Sequence, residues 1–240
     1  MSRKSTNFIS ESAFIGDEVV IGKDNIISPN VVLTGNVEIG DNNYIGAGAV
    51  IGGEPRQRIR PERWDPKITD HPKIKIGNDN LIFENVTIHQ PVGGVTVLRD
   101  SVAIGAHSHI GHDSHIGDGV VIATNVTLGG YTIVQRLANI GLGVVVHPRC
   151  VIGYASMCGM GACIKGHVIP GTTVTGVPAK FHSINQIGLS RHQVSNDFME
   201  FLAAYLDSKG ANVDAEILLD FDKQCSKWIK PGLTIKKLFR

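Results

Sequence analysis

The run HSHIGHDSHIGDG, His107 to Gly119, places four histidines within nine residues: His107, His109, His112 and His115. Such a cluster can do two kinds of chemistry. Three or four imidazoles converging on one point hold zinc. A single imidazole that titrates near neutral pH serves as a general base. Direction decides between them, and each histidine lies in a recurring Ile-Gly frame. With Ile104, Ile110 and Ile116 pointing inward, the histidines fall at corner or outward positions and splay apart, so they do not converge within one chain. A metal shared at an interchain contact is the version of the zinc reading that survives. Cysteine chemistry is less attractive: Cys150 and Cys158 fall on inward positions, and Cys163 and Cys225 sit in no CxxC pair.

The frame extends far beyond the histidines. Aliphatic residues recur every six positions from Ile9 through Ile15, Ile21, Ile27, Leu33, Ile39, Ile45 and Ile51. The series resumes at Ile76, Ile82 and Ile88, then runs from Leu98 to Ile164. Glycine commonly follows, and four residues after the aliphatic comes a small, β-branched or amide-bearing residue such as Asn25, Val31, Ser108 or Val120. A period of six is neither that of a helix nor that of an extended strand. It fits a short strand plus a turn, three of which close a triangular coil. A coil cannot bury its own inward face, but stacked coils bury a continuous column. Each inward Ile or Leu then contributes roughly 1.5–3 kcal/mol. The sequence therefore predicts an all-β parallel β-helix.

Two insertions interrupt the register, near 53–73 and 89–97, and are predicted to leave the coil as loops. The hexads end after GTTVTGVPAKFH, which sets a β-helix over 1–184 and a C-terminal helical segment over 185–240. Within that segment Val194, Phe198, Phe201, Leu202, Tyr205 and Leu206 follow helical spacing up to Gly210. A second helix is predicted from Asn212 to Pro231. Its lysines, from Lys223 to Lys237, form a solvated face or meet an acidic partner.

Composition excludes several classes. The 28 glycines against 6% aromatic residues suit tight turns and thin packing layers. A net charge of +1 carries no nucleic-acid footprint. No stretch reaches the ~20 apolar residues of a membrane span, and no secretory signal opens the chain, so a cytoplasmic protein with reduced thiols is expected.

The stretches FENVTIHQ, Asp65-Pro66-Lys67, HIGHDSHIGDGVVIATNVTLGG and NQIGLSRHQVS resemble the hexapeptide-repeat acyltransferases, above all the UDP-N-acetylglucosamine O-acyltransferases of lipid A synthesis. That resemblance implies a left-handed coil, an exception to the right-handed crossover rule that spacing alone could not reveal. It also implies a homotrimer with active sites between neighbours, His112 as general base beside Asp113, and no bound cofactor. His109, Asp65, Lys67 and Asn185 would meet the nucleotide sugar; Gly130, Tyr131 and Arg191 would meet the donor. Asp113 could hydrogen-bond the acceptor or orient a base on another strand. Coil stacking puts Gly130 over His112 and Tyr131 over Asp113, and Gly130 could offer its N–H to an oxyanion or be a plain corner glycine. His107 and His115 are incidental or interchain.

The chain departs from the lipid A pattern at Tyr131, where the family has histidine, and at Pro148, where it has glutamine. Its GVPAK turn resembles acetyl-CoA-dependent relatives. The expected function is thus acyl transfer, preferably acetyl from acetyl-CoA, to a nucleotide-linked amino sugar. The alternative is the lipid A reaction with acyl carrier protein as donor. Readings of another class are a zinc-dependent, carbonic-anhydrase-like enzyme and a non-catalytic scaffold.

Overall fold

Hexad after hexad, the chain adopts a two-residue strand, a corner and the next strand, giving a left-handed parallel β-helix. The computed structural model describes residues 6–55 and 73–209. Its strands stack into three sheets of ten, eight and seven. The pairing register is the hexad register: Ile27 lies against Ile45, Ile104 against Ile122, and Ile110 against Leu128. The register carries on across both insertions, since Ile45 pairs with Ile82 and Ile82 with Ile104.

The inward aliphatics form the core. Ile27, Leu33, Ile51, Ile88, Ile110, Leu128 and Ile152 are fully buried, whereas Ile9, with no coil below it among the described residues, is 41% exposed. The position four residues later makes a second inward column of Val31, Val86, Ser108, Val126 and Val144. Where asparagine takes that place it forms a ladder along one corner. Asn25 Oδ1 accepts from the Asn43 N–H at 2.9 Å, Asn43 Oδ1 from the Asn80 N–H at 3.0 Å, and Asn80 Oδ1 from the Val102 N–H at 2.7 Å. The amides satisfy the buried donors that a turn would otherwise orphan.

The parallel winding ends in an antiparallel pair, Thr172–Thr175 against Lys180–Ile184. Helix α1, Gln186–Arg191, and helix α2, Asn196–Lys209, follow. Phe198 and Leu202 of α2 close a second small core with Tyr154, Ile169 and Leu189. The predicted helical spacing up to Gly210 thus corresponds to α2, while α1 lacked a periodic signature of its own. The helix predicted from Asn212, with its lysines, lies outside the described residues. Among the described residues no helix is long and apolar enough to cross a membrane.

Candidate active site

His109 is on the strand His109–Ile110, and His112 and Asp113 form the corner that follows it. Asp113 turns that corner with φ 56°, in the left-handed region. This conformation swings its carboxylate back onto its own neighbour: His112 Nδ1 lies 2.8 Å from Asp113 Oδ2. The sequence left Asp113 open to the acceptor or to another strand's base; within the chain it meets its own neighbour's imidazole. An extended backbone would have sent the two side chains to opposite sides; the left-handed corner brings them together.

The second insertion, expected as an outward loop, wraps this carboxylate. Val92 donates its N–H to Oδ2 at 2.8 Å, and Gly93 and Gly94 donate to Oδ1 at 3.2 and 2.7 Å. Gly94 approaches so closely that a Cβ there would stand 3.0 Å from Oδ1. Thr96, fully buried, ties the loop down by accepting from the Asp113 N–H at 2.9 Å and donating to the His89 carbonyl at 3.2 Å. His115 is bound from the far side, its Nε2 lying 3.0 Å from the Val95 carbonyl. Neither Thr96 nor the 92–94 cradle was read as functional in the sequence.

Burial by itself would raise the Asp113 carboxyl, but the hydrogen bonds from Val92, His112, Gly93 and Gly94 outweigh it and hold the group below its ordinary range. Asp113 is therefore an ionised acceptor at neutral pH. A carboxylate can only accept, so His112 Nδ1 carries a proton, and in the neutral ring the lone pair is then on Nε2. That is the protonation state of a general base. The stability that ionised Asp113 gives the loop is complete above the ordinary aspartate value of 3.8 and is lost as pH falls through the lowered folded value. We expect the Val92 and Gly94 amide NMR signals to shift in acid with a midpoint below 3.8, and Asp113→Asn to abolish that transition.

Around the dyad stand the other members of the cluster. A Cβ built on buried Gly130 would come within 2.5 Å of His112 Nε2, so only hydrogen separates that corner from the base. Among the described residues the Gly130 N–H donates no hydrogen bond. Tyr131 donates its N–H to the His112 carbonyl at 2.8 Å and sets its ring edge-to-face against the imidazole at 5.0 Å. Stacked above Asp113 by register, Tyr131 thus turns its ring to His112. His109 Nδ1 lies 2.7 Å from Thr87 Oγ1, and its ring meets His89 edge-on at 4.5 Å. Burial, then the nearby His112, hold its imidazole below the usual histidine range, which keeps it neutral. His89 had not been singled out in the sequence, although it stands in the motif FENVTIHQ.

Other predicted residues lie elsewhere. Asn185 caps α1, accepting from the Gly188 N–H at 3.1 Å, and donates to the Ala155 carbonyl at 2.9 Å. Ala155 belongs to a different corner, in line with Ser101, Gly119 and Leu137. Arg191 is exposed in the last turn of α1. Within one chain neither joins the His112 cluster. Asp65 and Lys67 lie outside the described residues. Exposed His107 turns the preceding corner with φ 59°. Among the described residues no three His, Cys, Asp or Glu side chains are grouped to hold a metal ion. Burial raises the Cys150 thiol and pushes Cys158 up to about 12, which removes both as nucleophiles.

Residues 9–53 and 96–130 match the model of the bacterial transferase hexapeptide repeat (six repeats). This is a hexapeptide-repeat β-helix. Its stretch of 148 residues is 37% identical to the acyl-[acyl-carrier-protein]–UDP-N-acetylglucosamine O-acyltransferase of Alkalilimnicola ehrlichii, covering 60% of this chain and 54% of that one. Against the enzyme of the same name from Halorhodospira halophila it is 41% identical over 128 residues, 52% of this chain and 50% of the other. This hexapeptide β-helix spans about half the length of the curated relatives it matches. Among solved structures, UDP-N-acetylglucosamine O-acyltransferase from Moraxella catarrhalis aligns with TM-score 0.62 and 29% identity, over 92% of this chain and 88% of that one. The UDP-N-acetylglucosamine acyltransferase from Campylobacter jejuni aligns with TM-score 0.70 over 96% and 98%, but at 22% identity it speaks for the fold alone.

Proposed function

We propose that this protein transfers an acyl group from an acyl carrier protein thioester to a hydroxyl of UDP-N-acetylglucosamine, with His112 as general base. The observation that carries the proposal is the His112–Asp113 contact of 2.8 Å, which uses Nδ1 and turns Nε2 to the corner bordered by Gly130. His112 Nε2 removes the proton of the sugar hydroxyl as its oxygen attacks the thioester carbonyl. The Gly130 N–H is available to the tetrahedral oxyanion. When the C–S bond breaks, the imidazolium returns the proton to the departing thiolate. No covalent enzyme intermediate is required.

The donor preference derived from Tyr131, Pro148 and the GVPAK turn was acetyl-CoA, and it is revised. The relatives that match by sequence bear names with acyl carrier protein and UDP-N-acetylglucosamine. The GVPAK turn joins the two antiparallel strands at the end of the helix and is hydrogen-bonded to Cys163. Assembly as a homotrimer is part of the proposal, and would give Asn185 and Arg191 a route to a neighbour's ligands that they lack within one chain. So is work in the cytoplasm, where both substrates would be met.

The test is a mass-spectrometric assay of UDP-N-acetylglucosamine with a panel of acyl carrier protein thioesters, beside acetyl-CoA. An acylated nucleotide sugar from a carrier-protein thioester supports the proposal. Product with acetyl-CoA alone restores the first preference, and silence with every donor removes the reaction.

A further inference from the structure

Directly above Asp113 and Tyr131 in the same corner stands Arg149, which no role given so far uses. All three turn the chain in the left-handed region, at φ 56°, 61° and 66°. That conformation is unusual for side chains as large as those of Tyr131 and Arg149. The other corners largely hand it to glycine, asparagine or aspartate, as at Asn85, Asn125, Gly143 and Asp79. The backbone of Arg149 is fixed to the site, since its N–H donates to the Gly130 carbonyl at 3.0 Å.

The side chain is fixed as well. The guanidinium carbon sits 4.2 Å over the centre of the Tyr131 ring, whose own edge-to-face contact is with His112. Arg149 is exposed, so its guanidinium can be reached from solvent. The ion pairs among the described residues are Lys73–Glu38, His112–Asp113 and Arg136–Asp118, and Arg149 is in none of them. Asp113 cannot serve, because its two oxygens are taken by His112 and the 92–94 cradle. Stacking holds a guanidinium by its face and leaves the N–H edges in its plane open. Those edges form the rigid fork that suits two oxygens of one phosphate.

We infer that Arg149, laid flat on Tyr131, binds a substrate phosphate and so sets the position of that substrate against His112. The inference rests on the acyl-transfer reading in that it takes a phosphate-bearing substrate to enter this corner. Two such groups belong to that reaction, the diphosphate of the sugar nucleotide and the phosphodiester of the carrier protein's pantetheine arm. The shared chemistry is a phosphate oxyanion beside the base.

Titration calorimetry on the full chain separates the two sources. One arm compares UDP with uridine; the other compares 4′-phosphopantetheine with pantetheine. We expect Arg149→Gln to weaken one phosphate probe by about tenfold or more, as loss of a charge-assisted pair requires, while leaving its phosphate-free partner unchanged. Arg149→Lys keeps the charge but not the fork, and should fall between. Weakening of UDP assigns the sugar nucleotide, and weakening of phosphopantetheine assigns the donor. If Arg149→Gln binds both phosphates as the unaltered protein does, the inference is overturned while the acyl-transfer reading stands. Equal weakening of phosphate-bearing and phosphate-free probes also overturns it, by reducing Arg149 to a shaper of the corner. If the unaltered protein binds UDP-N-acetylglucosamine and every probe too weakly to detect, both readings fall together.

Discussion

His112→Ala is expected to lower turnover of the sugar nucleotide by about 10²–10⁴-fold, the usual worth of a positioned general base, with little change in the thermal midpoint. The imidazole contributes little to the fold, since it lies at a corner outside both inward columns, and its Asp113 partner retains three backbone donors when the ring is removed. Asp113→Asn tests the same machinery without removing the ring. Gly93 and Gly94 present N–H groups to Oδ1, so an amide would keep its oxygen there and set its NH₂ in the Oδ2 place, toward His112 Nδ1 and against the Val92 N–H. The imidazole would then have to accept at Nδ1 and carry its proton on Nε2, the wrong tautomer for a base. Both variants should therefore lose kcat with KM less affected. A His112→Ala protein with undiminished turnover would mean that another group takes the proton of the acceptor.

The barrel of hexads was legible because one physical requirement, an aliphatic every sixth residue, repeats along the chain and pins the register at each coil. Ile110 and Leu128 could be placed in contact before any coordinate was known, and Gly130 could be set above His112 by counting. What counting does not report is where a side chain goes at a corner. The partnership of His112 with Asp113 depends on a single left-handed φ, and a sequence gives no sign of it beyond the identity of the residue. The 92–94 cradle was hidden for a related reason. Pro91, Gly93 and Gly94 mark a loop, but loop residues bind through backbone N–H groups, and those are identical in every residue type but proline. Asn185 shows how one residue type serves two ends. An amide suits ligand contact and helix capping equally, and in the fold its oxygen goes to Gly188 and its nitrogen to Ala155. Arg149 could have been suspected from the same count of eighteen that links Asp113 to Tyr131, since it is the next step on that column.

Gly130→Ala should silence the enzyme while leaving the base in place, with an expected loss of about 100-fold in kcat. The backbone at Gly130 does not require glycine, because its φ is outside the left-handed region that the neighbouring Tyr131 occupies. The substitution therefore strains no dihedral angle, and the chain should fold. The methyl group, however, would arrive 2.5 Å from His112 Nε2, 2.6 Å from Cε1 and 2.8 Å from Cδ2. Contacts this short cannot persist, and the neighbouring coil is too closely registered to yield, so the imidazole must rotate. Rotation either stretches the Nδ1 bond to Asp113 or moves the Nε2 lone pair away from the acceptor, and displacement near 1 Å is enough for a hundredfold loss. The signature should be a shifted His112 ring resonance in the NMR spectrum, an unchanged unfolding midpoint and depressed kcat. Full activity in Gly130→Ala would mean that Nε2 is not the atom that receives the proton, and the assignment of the base would have to move to His109 or His89.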